Sequence, residues 1–103
     1  METLIDIFGK KIRFTDERKF HILRRAEMRE QESKIIETMR GPDFIRHSIS
    51  DKSVRLYYKF YPKTPVGDKY LLTAIKLFNG EGFIITAFFT DKIKKGEVVW
   101  KKE

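Results

Sequence analysis

V-R-L-Y-Y-K-F-Y, residues 54–61, decides how the chain is read. Successive side chains of a strand point to opposite faces. That spacing groups Val54, Leu56, Tyr58 and Phe60 on one face, and Arg55, Tyr57, Lys59 and Tyr61 on the other. The first set has the character of core. The second alternates cation and phenol, which suits phosphate contact and base stacking. The same alternation also describes an ordinary half-buried strand with a solvated polar face, so the flanking sequence has to decide.

On the C-terminal side the period stays at two. Residues 69–78 and 83–90 read as strands joined by the turn Asn79-Gly80-Glu81-Gly82, and residues 62–68, with two prolines and a glycine, read as a loop. Residues 44–48 read as a further strand. On the N-terminal side the period becomes helical. Thr15 is placed as an N-cap, with Asp16 and Glu17 favouring the helix dipole. A helix is expected over 16–25, with Phe20, Ile22, Leu23 and Ala26 on its apolar arc and Arg18, His21, Arg24 and Arg25 opposite. A second is expected over 28–40, ended by Gly41-Pro42. Residues 4–8 form a short apolar run, 11–14 a short strand, and the V-V-W run at 98–100 caps the sheet. The expected fold class is α+β, with two N-terminal helices followed by a four-stranded antiparallel β-sheet in a single domain over 1–103. The helices would cover one face and leave the other face, or an edge, to a ligand.

Composition narrows the function. The chain of 103 residues has 22 Lys and Arg against 15 Asp and Glu, a formal net charge of +7, and is 14% aromatic. Basic charge interleaved with aromatics favours nucleic acid among anionic partners. With no cysteine and two distant histidines, no disulfide framework and no zinc site is expected. No apolar run approaches the ~20 residues of a membrane span, and the N-terminus lacks a signal-peptide pattern. The expectation is a soluble, cytoplasmic protein with no membrane partner and no cofactor.

Metal-free RNA cleavage needs a base for the ribose 2′-hydroxyl, cations for the charged phosphorane and an acid for the leaving oxygen. Histidine is the side chain suited to proton transfer near neutral pH, and His21 is the one in the basic helical arc. Arg55, Lys59, Lys69 and Lys76 supply charge, and Tyr57, Tyr61 or Tyr70 could stack or donate. Lys76 interrupts the apolar run T-A-I-K-L-F, where it would need a partner or an open face. Thr86 and Thr90 share strand parity, so their hydroxyls point the same way. Whether Lys76 and Thr86 share a face depends on the length of the connecting turn. No Gly-rich phosphate loop, nucleophile elbow or paired-histidine metal motif is present.

The segments T-D-E-R-K-F-H-I (15–22), V-R-L-Y-Y-K-F-Y (54–61), K-Y-L-L-T-A-I-K (69–76), F-I-I-T-A-F-F-T (83–90) and K-K-G-E-V-V-W (94–100) occur in an order that resembles the barnase–EndoU–colicin E5/D–RelE-like nuclease superfamily, in its small phage and bacterial PBECR-type members. The resemblance spans nearly the whole chain. It implies helices followed by a four-stranded antiparallel sheet, and a metal-independent RNA endonuclease, toxin-like or phage-associated. It assigns catalysis to His21, Lys59, Lys76 and Thr86. Arg18, Arg25, Arg55, Tyr57, Lys69 and Thr90 complete the substrate-binding set, with RNA as partner and an acidic inhibitor protein as a second. Lys19 stands where the pattern often has tryptophan, and Phe88 where it often has tyrosine. Two other readings remain open: a non-catalytic basic module binding RNA or protein, and a phage structural or interaction protein.

Overall fold

The computed structural model describes residues 2–103. Its strands are β1 (Glu2–Ile5), β2 (Lys11–Phe14), β3 (Phe44–His47), β4 (Val54–Thr64), β5 (Gly67–Phe78), β6 (Glu81–Thr90) and β7 (Val98–Lys101), and its helices are α1 (Asp16–Leu23) and α2 (Glu32–Arg40). The strands form one seven-stranded sheet in the order β1-β2-β6-β5-β4-β3-β7. Every neighbouring pair is antiparallel except β2 and β6, which run parallel.

This corrects the expected four-stranded antiparallel sheet behind two N-terminal helices. The β3–β6 meander is there, but the β1–β2 hairpin precedes the helices and joins the sheet beside β6, and β7 adds an edge beside β3. Short strands such as β1, β2 and β7 carry little periodic signal; their pairing comes from the partner strand, not from local preference.

The helices follow their local chemistry. Thr15 caps α1, its hydroxyl accepting from the Arg18 N–H at 3.2 Å. The helix ends at Leu23, two residues short of the expected end, because Arg25 turns extended. A 3-10 turn at Ala26–Met28 follows, and Glu30 takes a left-handed φ of 64°. These breaks delay α2 to Glu32, and Gly41 then ends it as expected.

β4 is longer than the expected strand, because Pro62 and Lys63 fall at a register shift between Tyr61 and Thr64 instead of breaking the ladder. Proline in a strand survives where the ladder is already interrupted. The β5–β6 connection is a tight two-residue turn at Asn79-Gly80, both with positive φ, as a right-twisted hairpin requires. With a bulge between Ala74 and Ile75, that turn puts Lys76 opposite Phe83 and Thr86 opposite Ala74. Lys76 and Thr86 therefore share a sheet face.

The two faces of β4 are the reverse of the expected arrangement. The helices cover the face bearing Tyr57 and Tyr61, which pack with Phe14, Ile35, Met39, Ile45 and Ile75. Phe60, on the other face, is 45% exposed. Leu56 and Tyr58, also on that face, are buried by a different element, the strap formed by residues 91–97. Ile93 packs against them, the Lys94 N–H donates to the Tyr58 hydroxyl at 3.0 Å, and Arg46 donates to the Lys94 carbonyl at 3.1 Å. α1 likewise buries Ile22 but leaves Phe20 66% exposed. No helix among the described residues is long and apolar enough to cross a membrane.

Burial has a pH consequence. Desolvation, reinforced by the Asp6 and Glu37 carboxylates respectively, raises the Tyr57 and Tyr61 hydroxyls above their ordinary range. Above about pH 10 the unfolded chain releases these protons while the folded chain keeps them. Stability contributed by the two neutral phenols is whole below that pH and is lost as pH rises. Urea denaturation from pH 9 to 11.5 is expected to show stability falling by about 2 kcal/mol per pH unit, with a shallower fall in a Tyr57→Phe/Tyr61→Phe variant. Equal slopes in the two proteins would contradict this origin.

Candidate nucleic-acid interface

α1 packs against β6. β2 pairs only with Gly82 and Phe83 of β6, so no described strand covers the outer edge of β6 beyond them. An open depression of about 300 Å³ lies there, lined by Arg18, His21, Ile22, Arg24, Arg25, Ile85 and Thr86. Ile22 is buried under the helix and fixes its rotation. Arg18 and His21 on α1, and Arg24 and Arg25 just past its end, are exposed around the depression. None of the three arginines has an ion-pair partner among the described residues, and no carboxylate lines the depression. Thr86, half-buried beside the β6 bulge, also lines it, although its register turns the side chain toward the sheet face of Ala74 and Lys76. The arrangement offers positive charge and one imidazole on an open surface.

The other expected site residues are elsewhere. Lys59 lies on the helix-covered face and donates to the Gly41 carbonyl at 3.1 Å, fastening the end of α2. Lys76 sits on the opposite face, 2.6 Å from the Asp51 carboxylate. That ammonium lowers the Asp51 carboxyl to about 2. Arg55 faces the helix side, its guanidinium 5.7 Å from the Phe8 ring centroid. Tyr57 is fully buried, donating to Asp6 at 2.6 Å. Lys69 pairs with Asp91 at 3.3 Å, and Thr90 bonds locally to Lys92.

Of the expected residues, the fold therefore gathers Arg18, His21, Arg25 and Thr86, and leaves Lys59 and Lys76 with structural partners of their own. Arg24 joins the group; its place on the basic arc of the helix was the signal for it. Lys19 lies outside the depression. It bridges Glu2 at 3.2 Å and Glu32 at 2.8 Å, and the Glu32 contact raises its pKa. It ties β1 and α2 to α1 rather than replacing a stacking ring. Asp6 is the residue the sequence did not flag. It is a lone carboxylate between apolar pairs, 4% exposed, and holds Tyr57 and the loop after β1. No group of three or more described His, Cys, Asp or Glu residues could hold a metal ion. Searches against protein-family profiles, characterised proteins and solved structures find no match to this chain.

Proposed function

We propose that the protein binds RNA through the depression between α1 and the free edge of β6. The observation that supports this reading is the cluster of Arg18, Arg24 and Arg25, without ion-pair partners among the described residues and with no carboxylate lining the depression, beside His21. Guanidinium groups pair with phosphate oxygens through two parallel N–H bonds, and a surface rich in them gains affinity by releasing condensed counterions. The choice of RNA follows from the resemblance to the nuclease superfamily.

A fluorescein-labelled single-stranded oligoribonucleotide, followed by anisotropy, is expected to bind with affinity that falls linearly on a log–log plot against salt. Arg18→Ala/Arg25→Ala is expected to weaken binding by about tenfold or more and to flatten the salt slope by about 1.5 units. Unchanged affinity and slope in that variant would rule out this surface.

A second reading, metal-independent RNA cleavage, draws support from His21 and Thr86 lining the same depression. In it His21 takes the 2′-hydroxyl proton, the 2′ oxygen attacks phosphorus, the arginines, rather than Lys59 and Lys76, stabilise the phosphorane, and the bond to the 5′ oxygen breaks as that oxygen takes a proton from water at this open surface. RNA incubated with the protein in EDTA should then acquire 2′,3′-cyclic phosphate ends, and His21→Ala should slow that by about 10²–10⁴-fold. Binding without any such products would leave the non-catalytic module as the whole function.

A further inference from the structure

The sheet face away from the helices carries a second group of side chains that binding at α1 does not use. Strand parity and register put Phe44, Tyr58, Phe60 and Tyr70 on that face, with Phe44 opposite Tyr58 and Phe60 opposite Tyr70. Phe44 and Tyr58 stack with centroids 4.9 Å apart and planes at 21°. Tyr70 meets Phe44 edge-on at 5.7 Å and Phe60 at 5.4 Å. The strap of residues 91–97 covers Tyr58 but leaves Tyr70 and Phe44 half-buried and Phe60 largely exposed. Rings held this way form a rigid apolar floor rather than loose surface hydrophobes.

Beside that floor lies a cavity of about 420 Å³ lined by Asp43, Phe44, Arg46, Tyr70, Val98, Lys101 and Lys102. The volume is within the range of about 300–1,000 Å³ typical of small-molecule sites. Its charges are three cations against a single carboxylate. Asp43 is already satisfied, by Lys102 at 3.3 Å and the Phe60 N–H at 2.7 Å. Lys101 is exposed without an ion-pair partner among the described residues. The Arg46 guanidinium sits 5.6 Å from the Phe44 ring centroid, and its buried Nε has no partner. Aromatic floor and unneutralised cations at one rim match a ligand with a flat base at one end and a phosphate at the other.

We propose that this cavity binds one nucleoside phosphate, its base stacked on Tyr70 beside Phe44 and its phosphate held by Lys101 and Arg46. The nucleotide can be free or a unit of a single strand. The test titrates ¹⁵N-labelled protein with AMP and, separately, with ribose 5-phosphate. AMP should shift the amides of Phe44, Tyr70 and Lys101, and ribose 5-phosphate should do so at least tenfold more weakly. Tyr70→Leu, which keeps apolar volume but removes the ring, should weaken AMP about tenfold, in line with measured base–aromatic stacking. Lys101→Glu, an exposed change on the edge strand β7, should weaken AMP similarly. Displacement of AMP by an oligoribonucleotide assigns the site to a strand, and failure to displace it assigns the site to free nucleotide. Equal shifts from AMP and ribose 5-phosphate, no shifts at these amides, or unaltered AMP binding in Lys101→Glu would overturn the proposal. Arg18→Ala/Arg25→Ala should bind AMP as the parent does, so this site and the α1 surface stand or fall separately.

Discussion

Asp6→Ala is expected to destabilise the protein by about 4 kcal/mol, the largest loss from any single substitution considered. The Asp6 side chain is 4% exposed and accepts from three donors. Its Oδ1 takes the Phe8 N–H at 2.9 Å and the Lys10 N–H at 2.8 Å, and its Oδ2 takes the Tyr57 hydroxyl at 2.6 Å. Hydrogen bonds to a charged group contribute about 1.5–3 kcal/mol each, and a buried donor left without an acceptor adds its desolvation cost. Alanine removes all three acceptors at once. The loop after β1 then loses its hold on Tyr57, with only the Ile7 N–H to the Met39 carbonyl, 3.1 Å, still fixing it to the end of α2. Tyr57→Phe removes one of the three bonds and should cost about 1.5 kcal/mol. The double variant should lose less than the sum of the singles, because the two side chains share a bond. Urea midpoints at pH 7 measure all three, and an Asp6→Ala loss below 1 kcal/mol would show that water replaces the carboxylate.

Gly96→Ala is expected to cost about 3 kcal/mol and to loosen the C-terminal edge of the sheet. A Cβ at Gly96 would overlap the carbonyl oxygen of His47. That oxygen belongs to β3, which is paired on both sides and cannot swing clear. Overpacking against a rigid neighbour costs about 1–3 kcal/mol, and against backbone it falls at the upper end. The close approach exists because the His47 N–H donates to the Glu97 carbonyl at 2.9 Å, starting the β3–β7 pairing. Forcing the strands apart breaks that bond and strains the strap that covers Tyr58. Trp100 sits in β7 and packs against the main core, so its emission should shift to the red along with a lower thermal midpoint. A midpoint within 2 °C of the parent and unchanged emission would show that the strap relaxes without cost.

Much of the local structure was legible. Thr15 capped the first helix and Gly41 ended the second, because each rests on the conformation of one or two residues; the turn before β6 was legible only as Asn79-Gly80-Glu81-Gly82, and its two-residue length came from the strand pairing. The basic side of α1 was legible too, since Arg18 and His21, three residues apart, are neighbours on the helix surface. Pro62 misled, because a strand can carry a proline wherever its ladder is already irregular. The lysines misled for a different reason. Lys59, Lys69 and Lys76 have long flexible stems, and their ends settle on the nearest carbonyl or carboxylate, which the fold brings from 18, 22 and 25 residues away.

V-R-L-Y-Y-K-F-Y shows where the division falls. Its sequence alone determined that 54–61 is a strand and which side chains travel together, because a period of two is a property of the backbone. It could not determine which set faces the helices, because both sets contain large apolar groups and the pattern is symmetric between the faces. Tertiary structure broke that symmetry. The buried carboxylate of Asp6 gave the Tyr57 hydroxyl a partner on the helix side, and the strap of residues 91–97 gave Tyr58 one on the other. A buried hydroxyl goes where a partner waits, and those partners lie 51 and 36 residues away along the chain.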